Sequence, residues 1–231
     1  MTAGLVLEGG GMRGLYTAGV LDVFMERGVE FAHAVGVSAG AAFGVNIKSR
    51  QVGRAIRYNK RFCADIVTGE AVYRDIERGD GDDLDWIRAS ASVPLLARPV
   101  ELDGCELLDG GIANSIPAAW MVAQGYDRNV VVLTQPAGFV KEPNRLMPLL
   151  ERAYGAYPKL VELLANRHVR YNAQLEEVAR LERDGKALVI RPSESVKAPL
   201  AVKDPEVLER IYQVGRRDGE ARIADVRRYL A

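Results

Sequence analysis

Two short apolar runs near the start of this chain each stop at a glycine-framed turn, and each turn opens a helical pattern. Residues 4–8 lead into Gly9-Gly10-Gly11-Met12-Arg13-Gly14, and residues 31–37 lead into Gly36-Val37-Ser38-Ala39-Gly40. Further along, strand-like and helical patterns continue to alternate, which argues for a mostly parallel sheet covered on both faces. The pattern predicts helices over 15–26, 39–48, 52–61 and 84–90, the first amphipathic, with Val20, Leu21, Phe24 and Met25 at helical spacing. It predicts an extended pair over 67–76 and strands at 106–108 and 129–134. Ser115 is expected to cap a helix running to about residue 124, with Pro117 in its first turn. From residue 145 the pattern is helical and charged, interrupted by Pro158 and by a strand at 187–190.

Bulk properties narrow the function classes. A chain of 231 residues is enough for one α/β domain with a sizeable core. Lys plus Arg and Asp plus Glu both count 31, so no global field favours nucleic acid or an anionic membrane. Cys63 and Cys105 lack metal-site spacing and read as reduced thiols, so no metal and no cofactor is expected. No stretch approaches the roughly 18 apolar residues of a membrane span, and no signal peptide is seen. The expectation is a soluble, cytoplasmic protein.

The glycine string 9–14 fits G-x-G-x-x-G, which three kinds of site share. A dinucleotide fold wants a carboxylate at the end of the second strand, but that strand delivers Ser38. A phosphate-binding P-loop wants Gly-Lys-Ser/Thr after the glycines, and none follows. An oxyanion-binding loop remains, beside the plainer reading of a tight turn. Adjacent residues without Cβ atoms let backbone N–H groups approach a reacting oxygen. Arg13 either holds the loop and adds positive charge or is a helix-surface arginine.

G-x-S-x-G at 36–40 is the pattern of a strand-to-helix turn that exposes a serine hydroxyl. Val37 and Ala39 flank the serine, and small Ala41 and Ala42 allow tight packing behind it. A serine nucleophile needs a base. His33 lies in the same strand as Ser38 and cannot fold back onto it, and His168 sits in the charged helical region. A partly desolvated carboxylate can serve instead. Asp109 is the candidate, at the end of a short apolar strand, with Gly110 and Gly111 after it. The plainer alternative is an aspartate that opens a turn.

These residues resemble the patatin-like phospholipases, and more closely their bacterial cytoplasmic members. The resemblance is carried by the loop 9–14, the turn 36–40 and Asp109-Gly110-Gly111, in that order. It is also carried by Ala89-Ser90-Ala91-Ser92-Val93-Pro94 and by Asn114-Ser115-Ile116-Pro117. It implies an α/β fold, a three-layer α/β/α sandwich with a mostly parallel central sheet, followed by C-terminal helices. It also implies a Ser38–Asp109 dyad and metal-free hydrolysis of acyl lipids. Residues 1–135 then form the catalytic core, and 136–231 a helical part packed on the same domain. The subgroup usually carries an additional covering segment and strand, so a segment is expected to be missing or deleted near residues 62–65.

The expected function is a serine acyl-ester hydrolase of lipids, of phospholipase or lysophospholipase type. Gly10, Gly11 and Met12 would hold the oxyanion within the loop Gly9–Gly14. The competing expectation is a non-catalytic acyl-lipid-binding module that keeps the pocket. An acyl-lipid or ester substrate is the expected partner, and nucleic acid is not. Basic residues between Arg145 and Arg170 suggest weak peripheral association with anionic membranes, although such apolar stripes usually pack on the protein's own core.

Overall fold

The computed structural model describes residues 3–50, 52, 63–74, 82–196, 198 and 204–231. Four strands form a wholly parallel sheet in the order β2-β1-β7-β8, made of β1 (Ala3–Leu7), β2 (His33–Gly36), β7 (Arg128–Val132) and β8 (Ala187–Ile190). Alternate side chains of these strands serve two cores, as the period of two requires. Leu5, Leu7, Val130 and Val132 pack with α1 (Gly14–Glu26) and α8 (Pro205–Leu230) on one face. Val6, Val131 and Val189 pack with α4 (Ala118–Ala123) and α7 (Arg167–Arg183) on the other. The chain is therefore an α/β protein with helices on both faces of a parallel sheet. Among the described residues, no helix is long and apolar enough to cross a membrane.

A second, antiparallel sheet was not anticipated. Its order is β4-β3-β6-β5, from β3 (Cys63–Asp65), β4 (Ala71–Val72), β5 (Val100–Leu102) and β6 (Cys105–Asp109). Helix α3 (Asp82–Ser90) contributes Trp86 and Ala89 to a small core with Val100 and Leu107. Leu108 and Ile66 pack instead with Leu150 and Tyr154 beside α5 (Met147–Ala153) and with Leu160 and Leu164 of α6 (Pro158–Ala165). The apolar stripe of 145–170 is thus largely consumed by the protein's own core, while Leu146 and Leu149 stay exposed at 57% and 52%.

Four expectations need correction. Helix α1 is buried nearly all round rather than amphipathic, because α2 (Ala39–Ser49) and α8 pack against it as well as the sheet. Its buried Asp22 accepts the Tyr212 hydroxyl proton at 2.6 Å. Ser115 caps no helix, since α4 starts only at Ala118 after Pro117. A residue preceding proline is pushed out of the helical region, so Ile116 cannot begin the helix. Asp109 ends a strand of the antiparallel sheet, not of the parallel one. The extended pair is centred on 63–72 rather than 67–76. The helix expected over 52–61 lies outside the described residues apart from Val52.

Candidate active site

The serine turn is forced by close backbone packing. Ser38 has φ +50°, a left-handed conformation that costs a side-chain-bearing residue energy and persists only where surroundings impose it. Val37 N–H donates to Leu7 O at 3.1 Å, Gly40 N–H to Val37 O at 2.8 Å and Ala42 N–H to Ser38 O at 2.9 Å, closing the turn into α2. A methyl group on Gly40 would lie 2.5 Å from both Leu7 O and Glu8 O. Only a residue without Cβ lets α2 approach the end of β1 this closely. From the neighbouring sheet's side, Ser90 Oγ accepts the Ser38 N–H at 3.3 Å.

Ser38 Oγ donates to Asp109 Oδ2 at 2.5 Å, and both residues are buried. The other carboxylate oxygen, Oδ1, accepts Gly111 N–H at 2.8 Å. The Asp109 backbone is tied down separately, its N–H donating to Ser92 O at 2.9 Å. Burial raises the Asp109 pKa above its ordinary value, and this outweighs the lowering by the Ser38 and Gly111 hydrogen bonds and by the Arg167 charge. Such a carboxyl is poised to accept a proton more readily than an exposed aspartate.

The glycine loop lies directly against the serine. A methyl on Gly9 would come 3.3 Å from Ser38 Cβ. After β1 the chain forms a 3-10 turn, Gly11–Arg13, before α1 begins at Gly14. The donors within the string are not equivalent, which narrows the expectation. Gly9 N–H donates to Ser115 O at 3.2 Å and Arg13 N–H to Gly10 O at 3.2 Å, while Gly14 N–H turns back to Gly11 O and Met12 O. Gly9, Arg13 and Gly14 therefore shape the loop. Among the described residues, the N–H groups of Gly10, Gly11 and Met12 have no partner. Three adjacent donors beside a serine hydroxyl can stabilise negative charge developing on an oxygen attached to the attacked carbon.

The surroundings are cationic. Arg13 exerts its charge on the buried Glu8, and its Nε has no hydrogen-bond partner among the described residues. Burial pushes the Lys141 ammonium down to about 8, with the Arg167 and Arg13 charges acting in the same direction. Burial likewise lowers the Arg167 pKa. Among the described residues, neither histidine is hydrogen-bonded to Ser38. His33 stacks on Tyr126 with ring centroids 5.4 Å apart, and His168 Nδ1 lies 3.1 Å from Ala165 O. Among the described residues, no cluster of three or more His, Cys, Asp or Glu could hold a metal ion.

Residue-level reading of the sequence brought together Ser38, Asp109 and the glycine loop, and the structure places these in contact. It missed Glu8, Ser90, Arg167 and Tyr171, all of which touch the same segments. Only Ser90 carried a signal, because it lies in the small-residue stretch ending at Pro94.

Comparison with known proteins gives the chain relatives. A family model described as patatin-like phospholipase matches residues 5–49 and 42–121. A domain of unknown function, DUF6363, matches residues 157–231. The Escherichia coli protein YjjU, itself uncharacterized, is 26% identical over 281 aligned positions that cover 98% of this chain and 78% of its own. Lysophospholipase NTE1 of Candida glabrata is 25% identical over 269 positions, covering 92% of this chain and 15% of its own length. Both alignments are longer than the 231 residues available, so the relatives carry residues within the aligned region that this chain lacks.

Proposed function

This chain belongs to the patatin-like phospholipase family, and from that premise we propose that it is a serine hydrolase of acyl-ester lipids. Asp109 is the base, Ser38 the nucleophile, and the N–H groups of Gly10, Gly11 and Met12 are the oxyanion donors. The single observation that carries this reading is the 2.5 Å hydrogen bond from Ser38 Oγ to Asp109 Oδ2, made beside three unpaired loop donors.

The chemistry follows from that geometry. Ser38 gives its hydroxyl proton to Asp109 as Oγ forms a bond to the ester carbonyl carbon. The carbonyl π electrons move onto oxygen, where the loop donors receive the charge. Collapse of the tetrahedral species breaks the ester C–O bond, and the departing alkoxide takes the proton from Asp109. Water then passes a proton to Asp109 and attacks the acyl carbon, and a second collapse breaks the bond from that carbon to Ser38 Oγ, which takes the proton back from Asp109 as the fatty acid leaves. Burial serves this cycle, because a carboxyl with a raised pKa takes a proton at lower energetic cost. A lysophospholipid-like substrate is consistent with the similarity to the Candida glabrata lysophospholipase. Arg145 and Arg152, on or next to α5, would add weak, salt-sensitive attraction to anionic lipid surfaces.

A fluorophosphonate probe tests the assignment directly. Wild type is expected to be labelled on Ser38 and to turn over p-nitrophenyl esters, and Ser38→Ala to do neither. Equal labelling of Ser38→Ala would overturn the proposal. Fatty-acid binding by wild type without any turnover would favour the acyl-lipid-binding module instead.

A further inference from the structure

The proposed machinery lies between residues 9 and 111, and the segment matched by the domain of unknown function, 157–231, takes no part in it. Yet one helix of that segment bonds to the residue before the glycine loop and to the turn that follows Asp109. Arg167 Nε donates to Gly111 O at 2.7 Å, and Arg170 Nη2 donates to Ile112 O at 3.1 Å. Tyr171 OH donates to Glu8 Oε1 at 2.5 Å. Gln174 Oε1 accepts the N–H groups of Ser115 and Ile116 at 3.1 and 3.2 Å, and its Nε2 donates to Asn114 Oδ1 at 3.0 Å. Positions 167, 170, 171 and 174 are spaced by three and four, so they share one face of α7.

The partners of that face are the segments on which the geometry of the site depends. Gly111 supplies the N–H that holds Asp109 Oδ1, and its carbonyl is taken by both Arg167 and Ser115 Oγ. A methyl on Gly111 would sit 3.1 Å from Asp109 Oδ1 and 3.2 Å from Arg167 Nη2, so the guanidinium lies right beside the aspartate turn. Glu8 immediately precedes the glycine loop and is 0% exposed. A buried carboxylate needs partners on both oxygens. Glu8 has them: Tyr171 OH on one, and Thr134 N–H at 2.5 Å on the other. The helix is anchored by Tyr171, Val178 and Leu181 in the core under the sheet, and this anchorage holds the polar groups of its N-terminal half against the site.

We infer that α7 is the positioning element of the active site. Tyr171, acting through Glu8, fixes the entry to the glycine loop, and Arg167, acting through Gly111 O, fixes the aspartate turn. The C-terminal segment thereby sets the separation between the oxyanion donors and the dyad. This inference rests on the hydrolase reading, since the distance matters only if both parts work on one substrate. Arg167 and Tyr171 are positioning residues, because neither touches the reacting atoms.

The test uses the full chain and a p-nitrophenyl ester. Tyr171→Phe keeps the ring and loses one hydroxyl; Arg167→Leu loses the guanidinium. Each is expected to lower kcat by about tenfold or more with KM changed less than about twofold, as a misplacement of catalytic groups does. Arg167→Lys, which keeps a charge and a donor, is expected to recover part of that loss. Arg180→Ala, in an exposed ion pair on the same helix, is expected to change neither constant. Unchanged kcat in both Tyr171→Phe and Arg167→Leu, or losses confined to KM, would overturn the inference while Ser38-dependent turnover of wild type leaves the hydrolase reading intact. If wild type shows no Ser38-dependent turnover, the hydrolase reading fails, and amide hydrogen exchange decides the positioning role. Faster exchange at residues 9–14 and 109–116 in both variants supports it, and unchanged exchange overturns it. Should Arg167→Leu fail to fold, Tyr171→Phe carries the same test alone.

Discussion

The serine side and the aspartate side of the site meet at one hydrogen bond, but they are held by different kinds of contact. The serine turn and glycine loop are fixed mainly by their own strands: Val37 N–H on Leu7 O, Gly40 N–H on Val37 O, and α2 pressed against the end of β1. The aspartate turn is fixed in large part by side chains: beside Ser92 O on the Asp109 N–H, Ser115 Oγ and Arg167 Nε both donate to Gly111 O. Backbone closure builds the serine turn, and side-chain bonds brace the aspartate turn. Damage to the two sides should therefore look different. The first should fail through the fold and the second through the chemistry.

The largest expected effect lies on the aspartate side. Asp109→Asn keeps an acceptor for the Gly111 N–H but cannot take the Ser38 proton. We expect kcat to fall by about 10²–10⁴-fold, the usual contribution of a positioned base, with the melting temperature little changed. Steady-state kinetics beside a thermal melt checks both halves of that statement. Full activity would mean that another group deprotonates Ser38. In wild type the acid limb of the kcat/KM profile should lie above the ordinary carboxylate range, because the ionised form is needed and burial raises its pKa.

Gly40→Ala should fail the other way. The new methyl meets backbone oxygens 2.5 Å away rather than a side chain that could swing aside. A destabilisation of about 3 kcal/mol is expected, at the upper end of overpacking costs. Urea denaturation measures it. A stability within about 0.5 kcal/mol of wild type would show that the turn is not closed by local packing, as for an ordinary surface substitution.

The same division explains what could be read from the sequence. Leu5–Leu7 runs directly into the glycine loop and residues 31–37 directly into the Ser38 turn, and both follow from strand period and turn chemistry, so the parallel half of the fold and the serine turn were legible. The antiparallel sheet was not, although one signal for it existed. Asp103-Gly104 separates Leu102 from Cys105, and both residues have positive φ, the preference of a two-residue hairpin turn. Strands of three residues such as β5 are too short for alternation to reveal. Glu8 read as the last residue of a strand, and Arg167 and Tyr171 as members of a charged helix. Their significance is a matter of what they reach across more than 50 residues of sequence, which no local pattern encodes.

The smallest expected effect concerns stability against pH, and it again separates the two sides. Burial raises the Asp109 pKa in the folded chain, so over the window from its ordinary 3.8 up to the raised value the folded state binds more protons than the unfolded one. Stability must then fall as pH rises through that window, since its slope follows the protons bound by the unfolded state minus those bound by the native state. The contribution is fully present below the unfolded pKa and is lost as pH passes the folded one. Glu8, also buried and raised, acts with the same sign from its ordinary 4.5 upward. Asp109→Asn removes one of these two slopes and leaves the other, so its urea-derived stability should decline less steeply with rising pH than that of wild type. The serine side offers no such handle: Gly40→Ala should shift the whole curve down without changing its slope. Parallel pH curves for wild type and Asp109→Asn would mean that Asp109 titrates as an ordinary carboxylate, and the argument for it as a desolvated base would lose its electrostatic support.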